Sequence, residues 1–147
     1  MKLVFEETPP WPIGKMTAGT LPRATEPGIY ITPINELSDH WLPWQRKAVA
    51  WAVPADAKVD VISETKTVSA LEWPVTVIES MISVDDVPVE ARITVLYFLM
   101  EWCAVVVFRV PPGQLAAERD RAMKTVMSAR PDWNTPAAVA LAQLYQE

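Results

Sequence analysis

Hydrophobic positions alternate most persistently between Val89 and Val110. The stretch reads as two arms, Val89 to Met100 and Cys103 to Val110, rich in β-branched and aromatic residues and without Gly or Pro beyond Val89. That pattern predicts two paired strands around a tight turn at Met100 to Trp102. In the first arm Val89, Ala91, Ile93, Val95, Tyr97 and Leu99 share one face, because side chains alternate across a strand. The opposite face begins with Glu90, Arg92 and Thr94 and turns apolar at Leu96, Phe98 and Met100. In the second arm Ala104, Val106, Phe108 and Val110 oppose Cys103, Val105, Val107 and Arg109. A ribbon apolar on most of both sides belongs in the middle of a sheet, covered on both faces.

Upstream, alternation of Val59 and Val61 with Asp60 predicts a strand over Lys58 to Thr67, and Val75 to Ser83 predicts another. Asp85 and Asp86 mark the turn into Val89, so the expected unit is a four-stranded antiparallel meander. Residues 2–5 and Gly28 to Thr32 predict short strands flanking a proline-rich arm, about residues 6–28, in which proline removes donors and fixes φ. Ser38 or Asp39 caps a predicted helix to about Val53, with Trp41, Trp44, Ala48 and Trp51 at one-face spacing. After Pro111, Pro112 and Gly113, a helix is predicted over Gln114 to Ala129 with Leu115, Ala122, Val126 and Ala129 inward. A short helix over Pro136 to Tyr145 closes the series. The fold class this implies is α+β: an antiparallel β-sheet of about four to six strands sandwiched by helices, in one domain spanning residues 1–147.

Composition narrows the function classes. A net charge of −5 does not supply a basic nucleic-acid surface. No apolar run approaches the ~20 residues of a membrane-spanning helix, and Met1 to Glu7 lacks the pattern of a signal peptide. The expectation is a cytoplasmic protein, in keeping with a single cysteine that has no internal partner. With one histidine and one cysteine, a zinc site built from Cys and His is excluded by count. There is no Gly-x-Ser-x-Gly elbow, no Gly-x-Gly-x-x-Gly and no Walker-type lysine motif, so neither hydrolase nor nucleotide chemistry has its usual carriers. His40 falls at a helix start, where capping or solvation explains it, and Cys103 lies inside an apolar strand. No catalytic residue, cofactor or metal is called for.

Two groups of residues remain as candidate sites. Glu79, Glu90, Arg92 and Arg109 can meet across neighbouring strands as a polar face, for which a solvated charge ladder is the plainer account. Trp41, Trp44 and Trp51 with Leu96, Phe98 and Met100 can form an apolar groove for a partner helix or strand.

The strand pair Val75 to Ser83 and Glu90 to Met100, the strand Ala104 to Val110 and the helix Glu118 to Ala129 together resemble the Mog1/PsbP-like α/β/α sandwich. Within it the chain is most similar to the bacterial DUF1795 group, which includes DcrB-like proteins and the Eag chaperones of type VI secretion effectors. The resemblance implies a non-catalytic adaptor or chaperone that holds a segment of another protein. An immunity protein that binds a toxin through its acidic surface is one alternative, and a small-molecule binder or enzyme using the carboxylate and arginine group is another. An exposed edge strand would favour a homodimer.

Overall fold

The computed structural model describes residues 3–6, 8–16, 21, 24–32, 35–36, 46–99 and 102–132. The elements are β1 (Leu3–Phe5), β2 (Ile13–Lys15), β3 (Gly28–Ile31), β4 (Asn35–Glu36), β5 (Lys58–Val68), β6 (Pro74–Val84), β7 (Val87–Leu99), β8 (Trp102–Val110), α1 (Leu115–Val126) and β9 (Ala129–Pro131). Hydrogen bonding orders the main sheet β2-β3-β8-β7-β6-β5, with β4 also on β8, and β1 and β9 form a separate two-stranded sheet. The expected meander is β5 to β8, antiparallel throughout. One pair at the far edge, β2 with β3, runs parallel and makes the sheet mixed.

The β7–β8 ribbon lies at the centre, and its two faces have different covers. On one side Ala91, Ile93, Val95, Tyr97, Ala104, Val106 and Phe108 are completely buried against Leu115, Ala122 and Val126 of α1. Trp11 of the proline-rich arm packs on Phe108 with ring centroids 4.8 Å apart. The Tyr97 hydroxyl donates to the Val126 carbonyl at the end of α1, one of the carbonyls a helix leaves without an internal partner. On the other side Ile78, Leu96, Val105 and Val107 lie beneath Ala48 and Val49. These two belong to a helical turn at 46–49.

Local chemistry fixes the ends of the elements. Val84 pairs with Val87, which leaves Asp85 and Asp86 as a two-residue turn with φ of 52° and 63°. Positive φ at both positions is the geometry that matches the twist of a hairpin, so these carboxylates are turn residues. The predicted helix into Val53 instead gives way after residue 49, and Trp51 and Val53 donate to carbonyls three residues back. Pro54 disfavours helical backbone at Val53, and Ala52 reverses the chain at φ 55°. The predicted helix to Ala129 ends at Val126, because the chain turns at Met127 and enters β9 to pair with β1. Ala129 is buried there as a strand residue. The start of the first helix, with Trp41 and Trp44, and the helix predicted over 136–145 lie outside the described residues.

Phe108 is fully enclosed, between Trp11 and the α1 face. Phe108→Ala is expected to lower unfolding free energy by about 3–5 kcal/mol. Val87→Ala, at 56% exposure, is expected to change it by less than about 0.5 kcal/mol. Urea denaturation of the two variants checks the contrast.

Candidate functional site

Strand register brings Arg92 of β7 directly opposite Arg109 of β8. Two like charges facing each other across a ladder repel, and Glu90, two residues before Arg92 on the same face, resolves the conflict. Its Oε2 accepts from Arg92 Nε, and its Oε1 accepts from Arg109 Nε at 2.8 Å and from Arg109 Nη2. Arg92 Nη1 donates to the Trp51 carbonyl at 2.6 Å, and Arg109 Nη1 donates to the Tyr30 hydroxyl at 3.5 Å. The rings add a second layer. The Arg92 guanidinium lies 5.8 Å from the Trp51 ring centroid and that of Arg109 lies 5.5 Å from Tyr30. Tyr30 and Trp51 are themselves 5.3 Å apart. Gly14 keeps the Tyr30 ring in place, since a Cβ there would come within 2.8 Å of it.

Exposure decides what this group can be. Glu90, Arg92 and Arg109 are 4%, 1% and 6% exposed, so the solvated ladder expected from the sequence is instead an internal ion network. Burial pushes the Arg92 pKa down, with Glu90 opposing it. For Arg109 burial acts in the same sense, but hydrogen bonds and charge from Glu90 and Tyr30 more than offset it, and its pKa moves up. A cavity of about 50 Å³ adjoins the three side chains, closed by Leu21, Ala52 and Pro54. That is room for water, which needs roughly 10–15 Å³ of such space per molecule, and too little for a metabolite.

Glu79 does not join the group. It sits opposite Ile93, on the α1 face of the sheet, and pairs with Arg119 of α1 at 2.8 Å. On the neighbouring strand β5, which ends the sheet, every residue from Asp60 to Val68 is exposed, so Glu79 lies near the open side of the sheet.

The expected aromatic groove is also redistributed. Leu96 is fully buried beneath the 46–49 turn and presents no surface. Phe98 is half-buried against the same cluster, and Trp51 is engaged with Tyr30 and Arg92. Trp41, Trp44 and Met100 lie outside the described residues. An open apolar groove exists nearby, about 290 Å³ in volume. Val59, Val61 and Ile78 form its floor, Val49 and Ala50 its wall, and Arg46 and Glu64 its rim. Sequence reasoning missed these residues. The signal available for them was the alternation of Val59 and Val61 with Asp60, which places both valines on one face of the strand.

Cys103 is buried and its thiol pKa is raised by burial, which keeps it protonated and unreactive. Among the described residues no three His, Cys, Asp or Glu side chains gather as a metal site would require. Among those residues, too, no helix is long and apolar enough to cross a membrane.

The ion network predicts a specific asymmetry. Glu90→Gln leaves two buried guanidiniums facing each other and is expected to cost about 3–5 kcal/mol by urea denaturation. Replacing all three together, as Glu90→Leu, Arg92→Met and Arg109→Leu, is expected to cost far less or to stabilise.

No family model matches the chain, and no curated protein does. Among solved structures it is similar to the solution structure of cyanobacterial PsbP (CyanoP) from Synechocystis sp. PCC 6803, with a TM-score of 0.56 and 10% sequence identity. The match covers 69% of this chain and spans 65% of the length of that one. The chain therefore has a PsbP-like α+β fold.

Proposed function

We propose that the chain is a non-catalytic protein-binding module that holds an amphipathic helix of a partner protein in the groove between the 46–50 turn and β5. The groove carries the reading: it is apolar at its floor and wall and bears charges of opposite sign, Arg46 and Glu64, at its rim. A helix that places side chains at i, i+3 and i+4 into the floor can set its own polar residues against both rim charges. The charged residues best suited to chemistry, Glu90, Arg92 and Arg109, are engaged with one another below the surface. That arrangement favours a structural role for them over catalysis.

Within the PsbP-like layout, the likeness to the DUF1795 group extends this reading to a cytoplasmic adaptor or chaperone for a segment of a secreted effector. An affinity that collapses with added salt toward a basic partner would favour the immunity-protein alternative instead.

Ala50 is exposed on the groove wall, and Val87 is exposed elsewhere on the sheet. With the full chain immobilised and retained proteins identified by mass spectrometry, Ala50→Glu is expected to lower retention of the specific partner by about tenfold or more. Val87→Glu is expected to leave it unchanged. Equal retention by both variants, at unchanged Tm, would remove the groove from the function.

A further inference from the structure

Strand β5 ends the sheet: among the described strands it pairs with β6 alone, along 11 residues. Every residue from Asp60 to Val68 is exposed. Three of the large apolar side chains most open to solvent, Val61, Ile62 and Val68, lie on it at 54%, 57% and 55% exposure. An edge of this kind is a template for another strand. The bulge between Val61 and Ser63 limits the regular ladder available for such pairing to Ser63 through Val68.

The sequence of that ladder identifies the occupant. Opposite Glu79, Val77 and Val75, the residues Ser63, Thr65 and Thr67 share the α1 side of the sheet. Glu64 and Lys66, opposite Ile78 and Thr76, share the groove side. The segment Ser-Glu-Thr-Lys-Thr is thus hydroxyl on one face and one charge of each sign on the other, symmetric about Thr65 except for the reversal of charge. A strand of this pattern is complementary to itself run antiparallel. We propose that two copies of the chain pair along β5 about a two-fold axis at Thr65, with Glu64 of each copy facing Lys66 of the other.

The register is selected by charge. Centred on Thr65, the ladder makes two Glu–Lys pairs on one face and sets Ser63 against Thr67 of the second copy on the other. It also brings Val68 toward Ile62 of the second copy. Shifting the axis to Glu64 sets Glu64 against itself, and shifting it to Lys66 sets Lys66 against itself. Like charges directly opposite are destabilising, so both neighbouring registers are disfavoured. The interface is isologous and closes after two copies, which joins two sheets into one. This inference does not rest on the groove reading. It concerns the strand edge, and its readout is the mass of the protein alone.

Light scattering on the full chain is expected to show a concentration-dependent rise toward twice the 16.4 kDa mass. Glu64→Lys and Lys66→Glu are each expected to weaken dimerisation by about tenfold or more, since each puts like charges opposite at both pairs. An equimolar mixture of the two variants restores the dimer, because one copy then carries two lysines and the other two glutamates. Thr65→Cys is expected to give a disulfide-linked dimer on oxidation, since facing Cα atoms about 4.5–5.5 Å apart suit a disulfide. Ser63→Cys, whose counterpart would lie roughly 13 Å away, is expected not to. Buried Cys103 does not compete. A mass of 16.4 kDa at every concentration would overturn the proposal. So would single variants that dimerise like the parent, or a mixture no better than either variant alone. Unchanged thermal melting confirms that the variants remain folded.

Discussion

One carboxylate, that of Glu90, makes the centre of this sheet possible. The register that aligns the apolar faces of β7 and β8 also sets Arg92 against Arg109, and only a shared anion lets both guanidiniums remain inside. Glu90 divides its oxygens between them, one toward Arg92 and one toward Arg109. The remaining donors reach outward to the Trp51 carbonyl and the Tyr30 hydroxyl. The network therefore ties the central ribbon to the turn around residue 51, which covers it, and to the neighbouring strand β3. Ion networks of this kind add little net stability compared with apolar packing, but they penalise any arrangement that leaves one member alone. Their structural effect here is to fix which segment covers which face.

The two faces of the ribbon divide the molecule. The α1 face is an apolar core, closed by Trp11 and by the helix, with the Tyr97 hydroxyl as its polar tie. The other face grades from the ion network at one end to the Leu96, Val105 and Val107 cluster beneath the 46–49 turn. Beyond that cluster the cover stops and β5 runs on with both faces in solvent. The proposed protein-binding role draws on this exposed apolar surface at the rim, while the charged side chains at the centre are engaged with one another.

Much of this was legible from alternation alone. The faces of β7 and β8, the order of the meander, the Asp85–Asp86 turn and the inward residues of α1 follow from a period of two or of 3.6 in side chains that must reach a core. Grouping Glu90 with Arg92 and Arg109 was also readable, because adjacent strands bring same-face residues together. Their burial was not, since it depends on a cover from Trp51 and Tyr30, remote in sequence. Glu79 was misplaced for a related reason: its face is set by pairing with Ile93, and register across β6 and β7 cannot be counted from composition. The bulge in β5 reverses which residues share a face beyond Ile62, and no single residue announces it. The helix into Val53 was overextended because its periodicity continued past the point where the backbone turns at Ala52.

The central claim is that Arg92 and Arg109 are held together around Glu90 away from solvent. It is tested most directly by NMR measurement of Nε–H exchange with water for each arginine of the native protein. Arg92 and Arg109, whose Nε atoms both donate to Glu90, are predicted to exchange far more slowly than exposed Arg121. Exchange of either at the Arg121 rate would contradict the account.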